Sequence, residues 1–434
     1  MPYARLLENT MKILRFTAAA VCLLVGLLGP LHGGAVLAAE PVTIHFWAAW
    51  SPGRPEETKS IARIRAYEKA HPDVKIDVQV ITYGMLHDKL LTSIRGGDAP
   101  DLSWGLSEWF GELRQMDALL DLTSYAARWP DKDSIRPNVL QALTVKGKLL
   151  ALPQYLGLRA LVYHEAQLKQ AGIEAPPKTW DELVASAVKI KAQTGKYGFG
   201  IAGTGVRSPQ ELIAYLAQND VLIAREMPDG KFKNTWATDK AELGRAAEVF
   251  AFYRTLLDKG AIPGEASGWG WQEEDTNFAL GQYAMVVDGP WMQNLAEQNP
   301  APMADARVAP PPFKKKPATF FEISPLYLYK GTKHPKETWD FAAYLLSKDW
   351  QGEIRPDNSP RADVVGSPTW GKGFTDLAPT GVVFPPVALG QITKSMEDSI
   401  GRVLLKNEEP VKVATWLGDA INRELKRSGQ LSAR

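Results

Sequence analysis

The sequence predicts an α/β protein built from more than one domain. Strand-like and helix-like segments alternate from Val42 to Trp104 with short links between them. That order favours parallel strands joined by crossover helices that cover the faces of a sheet. The chain has 434 residues, which is more than one domain usually holds, so two or three domains are expected.

The segments near the start of the chain are identified by their periods. Apolar and polar residues alternate from Val42 to Phe46 and again from Val74 to Val80, as in half-buried strands. The helix between them stops at His71-Pro72, because proline cannot continue a helix. In chain order, the predicted elements are a strand at 42–46, a helix at 56–70, a strand at 74–80, a helix at 86–95 and a strand at 101–104.

Capping signals mark three helices in the middle of the chain. Thr179 with Glu182 has the spacing of a capping box, and so does Ser208 with Glu211. Asp239 is a suitable cap for a third helix. Further on, we predict a strand at 284–287, a proline-rich crossing segment at 308–313, a strand at 320–329, a helix at 338–346 and a last helix at 411–426.

The N-terminus has the build of a secretory signal peptide. Lys12 and Arg15 precede an apolar run at 18–28, and small residues then lead to Ala38. The run is too short to span a bilayer, which needs roughly 20 residues. We therefore expect residues 1–38 to be a cleaved signal peptide and the mature protein to be periplasmic. Cys22, the only cysteine, lies inside the run, so we expect a mature chain without a thiol and without a lipid anchor.

Composition and motifs exclude several function classes. Lys and Arg number 50 against 49 Asp and Glu, which leaves no electrostatic footprint for nucleic acid. The chain contains neither an H-E-x-x-H nor a G-x-S-x-G motif. A mature chain without cysteine supports neither thiol catalysis nor a cysteine-based metal site. We expect no catalytic residue, no metal and no cofactor, and so a protein that is not an enzyme.

Carboxylates leave one enzymatic alternative open. A glycosidase needs a pair of them, and the candidates are Glu273, Glu274, Asp275, Asp288 and Glu322. Their separation does not follow from the sequence, and carboxylates also accept hydrogen bonds from the hydroxyls of a bound sugar. A secreted carbohydrate-active enzyme therefore stays open as a function. An adhesion or scaffold protein of the envelope is a further alternative.

Aromatic residues follow the first three predicted strands. Trp47 stands at the end of the first strand, Tyr83 follows the second, and Trp104 ends the third. In an open α/β sheet, ligands bind outside the carboxyl ends of the strands, so these loops are expected to converge on one crevice.

Other tryptophans divide into loop and helix positions. Trp269 and Trp271 alternate with glycine, and Trp291 follows a predicted buried strand. Flat rings match the apolar face of a pyranose, while indole N–H groups and carboxylates meet its hydroxyls. The tryptophans in helical patterns are expected in the core; they are Trp180, Trp339, Trp350 and Trp416.

Five motifs in order resemble the extracellular solute-binding proteins of ABC sugar importers, the maltose-binding-type family 1. They are the stretch from Lys89 to Asp101, Leu152-Pro153-Gln154-Tyr155, Leu161-Val162-Tyr163-His164, the stretch from Ala171 to Leu183, and Phe278 to Met285 followed by Asp288-Gly289-Pro290-Trp291. Each motif alone is weak, but their order and their coverage from about 42 to 361 are specific.

The resemblance implies the type II periplasmic-binding-protein fold, an α/β fold of two lobes. Each lobe is a mixed, mostly parallel sheet flanked by helices, and a hinge joins the lobes beside an interlobe cleft. The N-terminal lobe is expected at 39–153 and 314–362, and the C-terminal lobe at 154–313 and 363–434. The implied partners are a small-molecule carbohydrate and the permease subunits of an ABC transporter. We expect a monomer that binds no nucleic acid.

The resemblance also implies which residues bind the ligand. The positions that fall where such proteins contact sugar are Trp47, Tyr83, Trp104, Tyr155, Trp269, Trp271, Asp288 and Trp291. Arg361 falls where several relatives place a late contact. Glu322 is a departure, since relatives often carry a glycine pair there, and it would add a hydrogen-bond acceptor.

The predicted solute is a sugar or an oligosaccharide, and one other solute class stays open. A polyol or a phosphate ester such as glycerol phosphate would fit the same kind of protein. A phosphate ester needs a basic cleft, for which the candidates are Arg159, Arg207 and Arg361.

Overall fold

Alternating burial along the chain sets up the first strand. Ile44, Phe46 and Ala48 are fully buried, while His45 between them is exposed. A computed structural model describes residues 41–50, 53, 55–368 and 370–433, without the side chain of Tyr83. The predicted signal peptide at 1–38 lies outside the described residues.

Short strands and longer helices alternate through the described residues. The strands are β1 (Val42–Ala48), β2 (Val74–Val80), β3 (Leu102–Trp104), β4 (Thr144–Val145), β5 (Lys148–Leu149), β6 (Leu152–Leu158), β7 (Ala160–His164), β8 (Tyr197–Phe199), β9 (Arg225–Glu226), β10 (Phe232–Lys233), β11 (Tyr283–Asp288), β12 (Ala306–Ala309), β13 (Thr319–Leu328) and β14 (Gly381–Val382).

The helices lie between these strands and after the last of them. They are α1 (Pro55–Ala70), α2 (Tyr83–Gly96), α3 (Phe110–Gln115), α4 (Thr123–Ala126), α5 (Pro137–Ala142), α6 (Glu165–Gln170), α7 (Trp180–Thr194), α8 (Arg207–Gln218), α9 (Lys240–Asp258), α10 (Trp271–Ala279), α11 (Met292–Gln298), α12 (Pro335–Leu345), α13 (Lys348–Ile354), α14 (Gly371–Thr375), α15 (Gly390–Leu404) and α16 (Pro410–Arg427).

The first sheet contains strands from both chain segments of the predicted N-terminal lobe. Its strand order is β14-β13-β3-β1-β2, and β6 also pairs with β13. β1 is parallel to β2 and β3, as the alternating strand and helix segments predict. β13 runs antiparallel to β3 and β6, and the chain reaches it after passing through the second sheet.

The second sheet is smaller and largely antiparallel. Its order is β12-β7-β11-β8, and only the pair of β11 with β8 is parallel among the described residues. Both sheets are thus mixed and flanked by helices, in agreement with the predicted α/β class.

The chain crosses between the sheets at three places. Arg159 alone separates β6 of the first sheet from β7 of the second. Residues 310–318 lead back from β12 to β13, and 383–389 lead from β14 to α15. The first two crossings touch, since the Thr319 hydroxyl donates a hydrogen bond of 2.6 Å to the carbonyl oxygen of Arg159.

Two of the three predicted helix caps are confirmed. The Thr179 hydroxyl accepts a hydrogen bond of 3.2 Å from the backbone N–H of Glu182, and Asp239 caps α9. The capping box predicted at Ser208 is wrong. α8 begins at Arg207, two residues before the predicted first helical residue, so Ser208 lies inside the helix and its hydroxyl donates to the carbonyl of Gly203 instead.

Three of the four helical tryptophans predicted in the core are found there. Trp180, Trp339 and Trp350 are buried, whereas Trp416 is half-buried with the Arg402 guanidinium 4.1 Å from its ring. No helix among the described residues is both long enough and apolar enough to cross a membrane.

Candidate functional site

An open cleft beside the crossing at Arg159 receives side chains from both sheets. Its empty volume is about 1010 Å³ when the open solvent at its mouth is included. The residues that line it are Ala49, Trp50, Pro55, Glu56, Trp104, Tyr155, Arg159, Val206, Arg207, Gln210, Trp271, Asp275, Trp291, Asn294, Gln298, Glu322, Arg355 and Asn358.

The first sheet supplies an aromatic wall. Trp104 ends β3 and stacks on Tyr155 of β6, with 6.4 Å between the ring centroids. The guanidinium of Arg355 lies 4.5 Å from the Tyr155 ring and is paired with Glu56. The Tyr155 hydroxyl donates a hydrogen bond of 3.0 Å to Glu322, so the ring is held from its edge as well as from its neighbours.

A chain of hydrogen bonds joins the two sheets at the base of the cleft. The Arg159 guanidinium donates to Glu322 of β13 at 2.9 Å and to Gln210 of α8 at 2.7 Å. The Gln210 amide in turn donates to Glu108 at 2.7 Å. Burial and the nearby Glu322 raise the pKa of Glu108 to about 7. The base of the cleft therefore joins both sheets through paired polar groups.

Arg207 lies at the centre of a buried carboxyl cluster on the other wall. Its Nη1 is 2.9 Å from Glu274 and 2.9 Å from Asp288, and it also contacts Asp275. Burial alone would lower the pKa of Arg207, but the three carboxylates outweigh burial and raise the pKa well above its ordinary value. Arg207 thus stays charged and is held firmly at the cleft surface.

The same three carboxyl groups have the spacing of a metal site. Their ligand oxygens lie within 4.8 Å of one another, in Glu274, Asp275 and Asp288. The Arg207 guanidinium already occupies the position of the cation between them. The donor set is therefore used by an arginine, and it gives no support for a resident ion.

Trp291 packs against two guanidinium groups. The Cζ atoms of Arg159 and Arg207 lie 4.3 and 5.0 Å from its ring centroid. The ring folds back over Gly289, where an added Cβ would lie 2.1 Å from it, so glycine is needed at this turn. The Trp291 ring therefore packs against the guanidinium groups of Arg159 and Arg207 and also lines the cleft.

Half of the ten predicted binding residues line the cleft. They are Trp104, Tyr155, Trp271, Trp291 and Glu322. Asp288 lies directly behind this lining, fully buried against Arg207. The side chain of Tyr83 lies outside the described residues. Contact with a ligand stays a prediction for all of them.

Three predicted binding residues lie outside the lining. Trp47 is half-buried with Lys89 Nζ 4.4 Å from its ring, and Trp269 stacks on Tyr283 at 5.9 Å. Arg361 is buried and bonds Asp131 at 2.9 Å, Asp363 at 2.8 Å and a backbone carbonyl. In this structure Arg361 therefore ties loops of the first-sheet region together.

Sequence reasoning missed several cleft residues. Trp50 belongs to the same aromatic loop as Trp47, so its ring was a visible signal. Gln210 of α8 also lines the cleft, and its place inside a predicted helix gave no sign of that role. Glu56, Asn294, Gln298, Arg355 and Asn358 also line the cleft, and no local pattern distinguishes them from surface polar residues.

Known proteins are similar to this chain over most of its length. The model of the family described as bacterial extracellular solute-binding protein matches residues 54–352. A mannitol-binding protein of Pseudomonas aeruginosa is 25% identical over 335 residues, which cover 73% of this chain and 72% of that protein.

Solved structures share the fold. The GacH receptor of Streptomyces glaucescens superposes with a TM-score of 0.78 at 23% identity, covering 89% of this chain and 99% of that one. Maltose-bound MalE3 of T. maritima gives a TM-score of 0.78 at 18% identity, covering 88% of this chain and 99% of that one. These likenesses confirm the predicted type II periplasmic-binding-protein fold.

Proposed function

The chain belongs to the bacterial extracellular solute-binding protein family, and on that premise we propose that it captures a sugar or a short oligosaccharide for an ABC importer. The solute would enter the cleft beside Arg159 and pass from there to permease subunits in the membrane. We propose a periplasmic monomer with a cleaved signal peptide and without catalytic activity, cofactor or nucleic-acid partner.

The observation that carries this proposal is the composition of the cleft. Aromatic rings of Trp50, Trp104 and Trp271 line it together with guanidinium, carboxyl and amide groups. Rings suit the apolar faces of a pyranose, and the polar groups suit its hydroxyls. The mannitol-binding relative supports a polyhydroxyl solute, and the GacH receptor is described in complex with acarbose.

The charges in the cleft favour a sugar or a polyol over a phosphate ester. Arg159 is neutralised by Glu322, and Arg207 faces three carboxylates. Arg361, the third candidate for a basic cleft, lies outside the lining. An anion would therefore meet carboxylates wherever it met an arginine, which costs binding energy.

The same contacts argue against hydrolysis. Glu274, Asp275 and Asp288 are occupied by Arg207, and Glu322 is occupied by Arg159 and Tyr155. A glycosidase needs one carboxyl group as acid and another free as base or nucleophile. Carboxyl groups that are already bonded to an arginine suit the polar lining of a binding site better than they suit that chemistry.

Closure of the cleft is proposed to accompany capture. Opposite walls come from different sheets, and three chain crossings join the sheets. A ligand selects a closed state only if it binds that state better, and contacts to both walls supply the difference. We propose the lobes at their expected limits, 39–153 with 314–362 and 154–313 with 363–434. The pairing of β6 with β13 supports a first boundary closer to Arg159 than to residue 153.

A thermal-shift screen over neutral sugars, polyols and phosphate esters tests the proposal. A bound solute stabilises the folded protein by mass action, so a sugar should raise the melting temperature progressively, with the logarithm of its concentration once that exceeds Kd. Incubation of the same mixtures should give no product. A shift with phosphate esters alone, or turnover of an oligosaccharide, would contradict sugar capture.

Trp271→Ala tests the aromatic lining that α10 contributes to the cleft. We expect calorimetry to show affinity for the stabilising sugar lowered at least about tenfold, or ~1.4 kcal/mol, because the ring loses its contact with the solute. Trp416→Ala is the matched control, since Trp416 lies outside the cleft lining. Equal affinities of wild type and Trp271→Ala would remove this ring from the site.

A further inference from the structure

The wall around Arg207 holds more carboxyl groups than one guanidinium balances. Glu274, Asp275 and Asp288 contact Arg207, and Glu211 of α8 is a fourth buried carboxyl group beside them. No other Lys or Arg pairs with these four groups in the part of the chain that the structure describes.

The next guanidinium group, that of Arg159, lies on the same Trp291 ring as Arg207 but is paired with Glu322. Three tyrosines also pack around the cluster: Tyr215 of α8, Tyr253 of α9 and Tyr283 of β11. Tyr283 donates its hydroxyl to the carbonyl of Glu274 at 2.6 Å. Glu274 Oε1 is buried and has no hydrogen-bond partner among the described residues. With every carboxyl group ionised, the cluster would carry an excess of negative charge.

An uncompensated buried charge is costly, so the excess carboxyl groups retain protons. Burial raises the pKa of Glu211 to about 8, and it raises the pKa values of Glu274 and Asp275 well above their ordinary range. The neighbouring Asp288 adds to this rise at Asp275, which shares a hydrogen bond with it. The unliganded cluster is therefore balanced by protons in place of cations.

Among the four carboxyl groups of the cluster, that of Asp275 lines the cleft. Glu211, Glu274 and Asp288 lie behind it, outside the lining. Trp271 also lines the cleft and stands four residues earlier on α10, so the two side chains share one helix face. An indole ring beside a carboxyl group is a favourable setting for a cation, because the ring face and the carboxylate both attract it.

From the carboxyl excess and the position of Asp275, we propose that the captured solute carries a protonated amine and that Asp275 receives it. The solute would be an amino-substituted sugar in preference to a neutral or anionic one. This inference deepens the proposed sugar capture and rests on it. The ammonium group donates a hydrogen bond to the Asp275 carboxylate, and the proton that Asp275 held leaves to the buffer.

Calorimetry with matched disaccharides tests the inference on the wild-type protein. The probes are the β-1,4-linked disaccharide of glucosamine, its N,N′-diacetylated form, and cellobiose. They differ only in the group at C2 of each ring, which is an amine, an acetamide or a hydroxyl. We expect the amine to bind about tenfold tighter or more, the effect of a charge-assisted hydrogen bond. The observed heat should also change with the ionisation enthalpy of the buffer, because a proton is released.

Asp275→Asn separates the charge from the shape of the site. The variant should lose the preference for the amine and the dependence of the heat on the buffer. Asp340→Asn is the comparison, because Asp340 is an exposed aspartate of α12 outside the cleft lining; it should keep the ratio of amine to neutral affinity. The buffer dependence of the wild type is the decisive measurement if Asp275→Asn does not fold.

The outcomes distinguish this inference from the proposed function. Neutral sugars that bind as tightly as the amine, with no proton release, overturn the inference and leave sugar capture intact. Tightest binding of glucose 6-phosphate, added as an anionic probe, overturns the amine preference. If no probe binds in calorimetry and none raises the melting temperature in the thermal-shift screen, both the amine preference and the proposed sugar capture are contradicted.

Discussion

At the scale of single residues, neighbours change what a side chain offers to a ligand. A tryptophan after a buried strand suggests a stacking platform, yet the ring of Trp291 lies against Arg159 and Arg207. Arg361 has the position of a ligand contact in the sequence, but its guanidinium is used by Asp131 and Asp363. Composition and order identify candidate residues, whereas their partners decide which groups are available.

Arg207→Met should be strongly destabilising. The change removes the one cation among four buried carboxyl groups, so the unfolding free energy should fall by about 3–5 kcal/mol at neutral pH. The loss should be smaller in acid, where the carboxyl groups are protonated. Chemical denaturation followed by circular dichroism measures it.

Lys394→Met is the control for Arg207→Met. Lys394 pairs with Glu397 and Asp398 on the exposed side of α15, and such surface pairs contribute less than about 1 kcal/mol. Equal stability losses for the two variants would show that the cluster around Arg207 does not depend on its cation.

At the scale of elements, local signals were reliable where the chain satisfies its own hydrogen bonds. The period-2 strands, the helix stop at Pro72 and the cap at Thr179 depend on nearby residues, and all were predicted. The start of α8 was predicted wrongly because the Ser208 hydroxyl bonds the carbonyl of Gly203, five residues earlier, in preference to the helix end. Capping spacing alone does not reveal that competing partner.

Helix packing places a strict limit on Gly418 of α16. A Cβ added there would lie 2.4 Å from the indole nitrogen of Trp236, which donates to the carbonyl of Ala414 at 3.0 Å. We expect Gly418→Ala to lower the unfolding free energy by about 1–3 kcal/mol through overpacking.

Gly244→Ala is the matched control, because Gly244 is exposed within α9 and a Cβ there meets nothing within 4 Å. It should stabilise the protein by about 0.5–1 kcal/mol, since alanine loses less backbone entropy in a helix. Thermal denaturation of the pair checks both signs; stabilisation by Gly418→Ala would contradict the close contact with Trp236.

At the scale of the whole molecule, the site exists because the chain visits two sheets and returns. Trp104, Tyr155 and Glu322 come from three strands of the first sheet. Asp275 and Trp291 lie before and after β11, a strand of the second sheet. Buried carboxyl groups near the junction, Glu108 and Glu211, make the stability of this arrangement sensitive to pH.

The unfolding free energy should fall as pH rises from about 5 to about 8. In the folded state, burial raises the pKa of Glu108 to about 7 and that of Glu211 to about 8, while unfolded glutamate titrates near ~4.3. The folded protein therefore binds more protons over this range, and stability declines with each pH step until both groups have ionised.

Urea denaturation at several pH values measures this slope. The decline should exceed about 1.4 kcal/mol, the equivalent of one pKa unit. Glu211→Gln combined with Glu108→Gln should flatten the slope, because neither amide titrates. Stability that rises across the same range would mean that these carboxyl groups are ionised in the folded protein.

The sequence by itself determined the α/β class, the family resemblance, the order of the main strands and helices, and the presence of aromatic loops beside strand ends. These follow from local periodicity and from motifs that lie within short stretches of chain. Only the tertiary structure decided the makeup of the cleft, where Arg159 meets Gln210 and Glu322, and Asp275 meets Arg207. The physical reason is that burial and charge pairing join residues far apart in the chain, and no local pattern encodes those partners.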